Sequence, residues 1–356
     1  MKFLATVVEL DTRLPFVTSH GGASRFQNVL VQVEHAGTVG LGEAAPSRYH
    51  GETAATVVAA LATLIPAAES VGHPWRLEAL HAAMDAALAG HRAAKAALDL
   101  ACHDWLGKRV KMPLAHLLGL NFHAAPPTSY TVPIVPADQV GQAIASGEPF
   151  PALKVKMGDA DDAARLAQVR AATAKALRVD ANGAWTADQA IRRLPELEAC
   201  GVELIEQPVA ADDLEGLARV RAASRLPVLA DEPALVARDL PRLAGVVDGV
   251  NIKLAKCGGI RPALAMIHAA RALGLRIMLG CMVESSIGIA AAAHLAPLAD
   301  WVDLDGHLLL ADDMARGLGL DGGRVRPADA PGLGVELTAR GEAAFAVPAG
   351  VGGARS

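Results

Sequence analysis

Aromatic side chains are scarce in this sequence: of 356 residues, 3% are aromatic, with six Phe, four Trp and two Tyr. Few surfaces are therefore available for stacking nucleic-acid bases. The 33 basic and 38 acidic residues leave a net charge of −5, which gives a polyanion no electrostatic footprint. No nucleic-acid partner is expected. Cysteine is equally sparse. Cys102, Cys200, Cys257 and Cys281 stand far apart without a Cys-x-x-Cys pair, so neither a disulfide framework nor a zinc ribbon is indicated. A glycine-rich phosphate loop of the G-x-x-x-x-G-K type is missing, and with it one sign of a nucleotide site. Mean hydropathy is positive, +0.29, yet the charge-free runs 53–68 and 285–299 are shorter than the roughly 20 residues needed to span a bilayer. They also contain Pro66 and Pro297. Both read as buried helices, and no membrane partner is expected. The opening MKFLATVVELDTR meets Glu9 and Asp11 too soon for a signal peptide, which points to a cytoplasmic protein.

What is abundant is aliphatic: 52% of residues are apolar and 20% charged, the composition of a globular chain. At roughly 150 residues per domain, the length suggests one large domain and a smaller companion. Residues 1–125 read as an α+β module. Strand-like runs at 3–10 and 29–34, with the turn-like HAGTVG, suggest an antiparallel sheet, and helical stretches follow at 53–69, 76–89 and 91–107. Pro126 and Pro127 mark the boundary. From there to about 320, short apolar runs alternate with helical segments. They lie at 130–132, 153–156, 177–180, 202–206, 228–231, 250–253, 276–279 and 301–303. Eight βα units over fewer than 200 residues fit a closed parallel barrel better than an open sheet. The tail 321–356 is expected to return over the first module.

The ends of these runs carry the chemistry. LKVK ends in Lys156, LRVD in Asp180, ELIE in Glu206, PVLAD in Asp231 and VNIK in Lys253, at intervals of 24, 26, 25 and 22 residues. Each interval is about one βα unit, so a barrel gathers all five groups at the C-terminal ends of its strands, where active sites of this fold are built. Asp180, Glu206 and Asp231 on neighbouring strands would repel one another without a cation. Their all-oxygen character selects a hard ion such as Mg²⁺ over zinc. The competing reading makes each Asp a helix cap; the common phase of the trio argues against it. Lys154 and Lys156, two apart, share one face of their strand. Lys156, beside a second ammonium and a cation, is fitted to work as a base. Lys256, three beyond Lys253, reads as a loop residue.

These segments resemble a known family. LKVKMG, RVDANGAW, LIEQPV, LADEP, VNIKLAKCGG and GCMVESSIGIAAAAHLA are similar to the enolase superfamily, muconate-lactonizing subgroup. WVDLDGHLLL resembles the Asp-x-Asp signature of its dipeptide epimerases, of the Ala-Glu type. The resemblance implies a modified TIM barrel, (β/α)₇β, with an N-terminal α+β capping domain. It implies one Mg²⁺ per site held by Asp180, Glu206 and Asp231, with Lys156 and Lys253 as acid and base on opposite faces of the substrate α-carbon. The reaction would be inversion of the C-terminal residue of a dipeptide by two-lysine 1,1-proton transfer through a metal-stabilised enediolate. Lys154 would neutralise the substrate carboxylate. Asp303 and Asp305 would receive the dipeptide ammonium, with a strand-end cap as their alternative. Backbone contacts would come from Cys281 and Met282, and His20 on loop 18–26 would reach the substrate. Asn182, Gln207 and Glu232 would orient the ligands. Within the same fold, N-acylamino acid racemase or o-succinylbenzoate synthase needs the same lysines and metal without an ammonium pocket. A Schiff-base lyase or aldolase is the rival from another reaction class, and a non-catalytic binding barrel the third. A homo-oligomer is expected.

Overall fold

The structure, a computed structural model, describes residues 1–346. Strand β1 (Lys2–Thr18) pairs antiparallel with β2 (Gly21–His35), from Lys2 opposite Glu34 to Thr18 opposite Gly21. A tight turn through Ala36 and Gly37, both at positive φ, joins β2 to β3 (Thr38–Ala44). One face of this sheet buries Ala5, Val29, Val31 and Val33 against α1 (Ala54–Ser70), α2 (Leu77–Ala87) and α3 (Arg92–Val110). Leu61, Leu64 and Leu98 there are fully buried, each contributing about 1.5–3 kcal/mol of apolar burial.

Strand β3 went unread in the sequence because Gly40 and Gly42 weaken its pattern. Those glycines are needed for packing. A Cβ on Gly40 would stand 2.1 Å from the Ala101 carbonyl oxygen, and one on Gly42 2.0 Å from that of Ala97. The Ala-rich helix α3 lies with its backbone directly on the strand. A short helix, α4 (Leu114–Leu117), leads out of this module.

Eight parallel strands follow: β4 (Ser129–Val132), β5 (Ala152–Lys156), β6 (Ala176–Asp180), β7 (Val202–Glu206), β8 (Val228–Ala230), β9 (Gly249–Lys253), β10 (Arg276–Gly280) and β11 (Trp301–Asp303). They neighbour one another in chain order and coincide with the eight sequence runs to within one residue. A bridge between Thr128 and Val302 joins the two ends of the sheet. The connections carry α5 (Val140–Ser146), α6 (Asp162–Ala172), α7 (Ala187–Ala199) and α8 (Leu214–Ala223), then α9 (Leu254–Cys257) with α10 (Ile260–Ala272), and finally α11 (Ser286–Ala293). Between β8 and β9 the expected helix is reduced to a 3₁₀ turn, Ala237–Arg242, with Pro241 inside it, a residue that cannot donate to an α-helical ladder. The fold is the capped, modified (β/α)₇β barrel.

The charge-free runs become α1 and the all-buried α11. Among the described residues no helix is long and apolar enough to cross a membrane. Strand alternation sends Leu153, Val155, Leu177 and Val179 outward into the core under the helices. Inside, Leu204, Leu229 and Met278 cluster against Trp301, and Arg178 donates to the Val302 carbonyl at 2.7 Å. This floor supports the charged layer above it.

In the tail, β13 (Leu318–Asp321) and β14 (Arg324–Pro327) form a hairpin whose Gly323 carbonyl accepts from Thr128 N at 2.8 Å. It follows β12 (Ala315–Arg316), which pairs with β15 (Glu336–Leu337). Helix α12 (Ala339–Ala346) lies on β1, where Thr6 donates to the Ala344 carbonyl at 2.9 Å and Arg340 to that of Glu9 at 2.6 Å. The end of the sequence-defined tail, 347–356, lies outside the described residues.

Candidate active site

Residues two apart on a strand share a face, so the inward positions of β5, β6, β7 and β9 stack ionisable groups in the upper barrel. Lys156 Nζ lies 2.6 Å from Asp180 Oδ2, and Lys253 Nζ lies 2.8 Å from Asp231 Oδ2. Strands β5 and β9 are separated by β6, β7 and β8 in an eight-stranded ring, so the two lysines rise from opposing walls. Lys154, 2% exposed, sits between Asp303 Oδ2 at 2.7 Å, Glu206 Oε2 at 2.8 Å and Asp180 Oδ2 at 3.0 Å. Its hydrogen bond goes to Asp303, and the approach to Glu206 is off the direction of a hydrogen bond, leaving Oε2 with a charge partner but no donor.

The electrostatics follow from this packing. Burial opposes the charged form of Asp180 and Asp231, but the facing lysines outweigh it and hold both carboxyls below the usual range. Burial and the Asp180 charge push Glu206 up to about 7. Burial would make Lys253 easier to deprotonate, yet its ion pair with Asp231 wins and raises it. The Lys154 and Lys253 charges oppose the rise at Glu206 without cancelling it.

Asn182, Gln207 and Glu232 lie beside the trio. Asn182 and Gln207 adopt positive φ, 43° and 38°, sparsely populated for side-chain-bearing residues and common at functional sites. Asn182 donates its backbone N–H to Asp180 Oδ1 at 2.9 Å, and its side chain reaches Lys156 and Glu232 at 3.3 Å each. Gln207 Oε1 accepts from the backbone of Asp231 and Glu232. His20, at the tip of the β1–β2 hairpin, points its Nε2 at Glu232 Oε1 at 3.4 Å and packs on Tyr49, with ring centroids 4.6 Å apart. Arg25 is remote from this opening, paired with Asp11 at 2.7 Å and Glu9 at 3.3 Å on the outer ribbon.

Cys281 and Met282 follow β10 at the barrel mouth. Met282 donates its N–H to Glu284 Oε1 at 2.8 Å and borders a cavity of about 220 Å³ lined also by Ser47, His50, Arg92 and Lys256. Asp303 and Asp305 have structural partners across the barrel seam. Ser129 donates to Asp303 Oδ1 at 2.7 Å, and the Thr131 N–H donates to Asp305 Oδ2 at 2.6 Å. Burial and the Asp303 charge raise Asp305 to about 6.

One reading needs correction. Lys256 is no loop residue: it lies in α9, 4% exposed, with Nζ on Asp231 Oδ1, on the Asp231 carbonyl at 2.6 Å and on that of Asn251 at 3.0 Å. The helical turn after Lys253 folds it back beneath Asp231. Gly258 and Gly259 make a tight turn at φ of 105° and 116°, with the Asp99 carboxylate receiving the Ile260 N–H at 2.6 Å. Sequence reasoning also missed Asn251, whose Nδ2 donates to Glu206 Oε1 at 2.7 Å. Standing two before Lys253, Asn251 shares its face of the strand, but the sequence does not name Glu206 as its partner.

Do these residues fit a metal? The donors are carboxylate oxygens, the class that suits Mg²⁺, and Glu206 Oε2 is buried without a hydrogen-bond donor. Among the described residues no three His, Cys, Asp or Glu side chains are drawn around one ion-sized point. The ammonium groups of Lys154, Lys156 and Lys253 lie against the facing oxygens instead. Positive charge therefore already gathers where a cation would bind, and the set fits a hard divalent ion.

Comparison with known proteins agrees with this chemistry. Residues 2–119 match the mandelate racemase / muconate lactonizing enzyme N-terminal domain, and residues 136–341 match the enolase C-terminal domain-like family. The L-Ala-D/L-Glu epimerase of Bacteroides thetaiotaomicron is 36% identical over 337 residues, 94% of this chain and 88% of that protein. A crystal structure of a dipeptide epimerase from Enterococcus faecalis complexed with Mg and the dipeptide L-Leu-L-Tyr superposes with TM-score 0.86 at 33% identity, covering 94% of this chain and 98% of that one. N-succinyl Arg/Lys racemase from Bacillus cereus superposes with TM-score 0.88 at 32% identity, covering 97% of each chain. The chain belongs to the mandelate racemase / muconate lactonizing enzyme family.

Proposed function

We propose that this chain is a Mg²⁺-dependent dipeptide epimerase that inverts the α-carbon of the C-terminal residue. The observation that carries the reading is the pair Lys156 and Lys253, on opposing walls and each against a different carboxylate of the trio. Asp180, Glu206 and Asp231 would hold Mg²⁺, which supplies positive charge to the substrate carboxylate as negative charge builds there. With the α-carbon between the lysines, one Nζ takes the α-proton from one face and the other Nζ returns a proton to the opposite face. The stereocentre inverts and the lysines exchange their protonation states. Microscopic reversibility lets the same pair run the reaction from either isomer.

Asp305 is the group suited to the dipeptide ammonium. Asp303 already neutralises Lys154 and binds Ser129, whereas Asp305 Oδ2 takes a backbone N–H and the carboxyl has no basic partner within ion-pair distance among the described residues. A bound ammonium supplies the missing counter-charge. An N-acyl substrate has no such charge, so Asp305→Asn separates the two readings. It is expected to lower kcat/KM for dipeptides on the order of a hundredfold while sparing N-succinyl or N-acetyl amino acids. Loss confined to N-acyl substrates would favour the racemase. A cytoplasmic location and self-association belong to the same reading, to be read by cell fractionation and light scattering.

The direct test incubates a dipeptide library with Mg²⁺ in D₂O and reads mass. Gain of one deuterium in selected dipeptides, abolished by EDTA and restored by Mg²⁺, is the expected result. Activity indifferent to EDTA, or a substrate carbonyl trapped on a lysine by borohydride, would overturn it.

A further inference from the structure

Each carboxylate of the trio divides its two oxygens in the same way. Asp180 Oδ1 accepts from the Asn182 backbone at 2.9 Å, Glu206 Oε1 from Asn251 Nδ2 at 2.7 Å, and Asp231 Oδ1 from Lys256 Nζ. The opposite oxygens, Asp180 Oδ2, Glu206 Oε2 and Asp231 Oδ2, face only ammonium groups of Lys154, Lys156 and Lys253. One oxygen of every ligand is engaged from outside the layer and the other is presented inward.

The two side chains that do this are held for the task. Asn251 is fully buried, and its own Oδ1 has no hydrogen-bond partner. The amide therefore takes its orientation from Glu206 at the expense of its carbonyl, an arrangement that costs stability unless the donor is needed. Gly280 on the adjacent strand makes room: a Cβ there would stand 2.5 Å from Asn251 Oδ1. Lys256 spends its N–H groups on Asp231 Oδ1 and the carbonyls of Asp231 and Asn251.

We propose that Asn251 and Lys256 are positioning residues that restrict Glu206 and Asp231 to one oxygen each toward the ion, and so favour Mg²⁺ over Ca²⁺. The physical basis is coordination. Mg²⁺ demands near-octahedral geometry from single oxygens, whereas Ca²⁺ takes six to eight ligands and accepts both oxygens of a carboxylate. This rests on the reading that the trio binds a divalent cation.

The experiment titrates the full-length protein, without substrate, with Mg²⁺ and separately with Ca²⁺ by calorimetry. It compares the parent with Asn251→Ala, Lys256→Met and Gly280→Ala, each checked for folding by circular dichroism. Gly280→Ala pushes the Asn251 amide aside without removing it or altering any charge. Mg²⁺ affinity should fall ten- to a hundredfold in each, with Ca²⁺ affinity changing less, so that the Mg²⁺-to-Ca²⁺ preference falls at least about fivefold. General loosening would weaken both ions alike. Equal losses, or preference unchanged in the folded variants, overturn the inference and leave the metal reading standing. A parent that binds neither ion overturns both. If Lys256→Met does not fold, the two remaining variants decide.

Discussion

Glu43 and Glu284 meet at the junction of cap and barrel. Glu43 accepts from Asn28 at 2.7 Å and from Ser285 Oγ at 2.6 Å, while Glu284 is buried nearby with its Oε2 on the same side of Gly288 as Glu43 Oε2. Burial and then the Glu43 charge push Glu284 up to about 8. The sign follows from proton binding. With a folded value above the unfolded one, the native state holds an extra proton between pH 4.5 and 8, and this contribution is lost as pH rises. His294 and His307 are held down to about 4 by burial, so the unfolded state binds their protons between pH 4 and 6.5, and their contribution is lost as pH falls. Denaturant unfolding should show stability falling as pH rises from 6.5 to 8. Glu284→Gln should remove much of the fall between pH 6.5 and 8; an unchanged alkaline slope would show that Glu284 ionises normally. None of this was legible in the sequence, because VESS names a glutamate without saying what buries it. Lys156, Asp180, Glu206, Asp231 and Lys253 were legible because strand length and βα repeat fix their phase. Asn251 and Lys256 were not. An Asn inside an apolar run and a Lys after it carry no sign of the neighbouring strands they touch.

At the scale of elements, the eight barrel strands were readable from apolar runs alone, since strands buried on both faces leave continuous signals. β3 was not, because helix α3 requires glycines there. Gly42→Ala puts a Cβ 2.0 Å from the Ala97 carbonyl oxygen and must push α3 off the sheet. We expect a loss of about 2 kcal/mol or more in unfolding free energy, whereas the same change at exposed Gly141 in α5, with nothing within 4 Å, should stabilise by up to about 1 kcal/mol. Equal effects would show that α3 does not rest on the strand backbone. The missing helix between β8 and β9 has a similar origin: Pro241 ends helical pairing, and the 3₁₀ turn closes the crossover.

Across the molecule, the barrel sets charges against each other and the cap completes the opening above them. Asp180, Glu206, Asp231, Asp303 and Asp305 face Lys154, Lys156, Lys253 and Lys256, one negative charge in excess. A bound Mg²⁺ turns this into one positive charge in excess, so one lysine can lose its proton and leave the layer neutral; the dipeptide adds an ammonium and a carboxylate that cancel. That balance is what two-base inversion needs: one lysine neutral, its opposite charged. The net charge of −5 for the whole chain gave no hint of it, because the relevant charges are buried. The central claim is best tested by following α-proton exchange in D₂O from each stereoisomer separately, for the parent and for Lys156→Ala and Lys253→Ala. The account predicts exchange from both isomers in the parent, with each variant losing exchange from one isomer, a different one in each case. Exchange surviving from both isomers in either variant would contradict it.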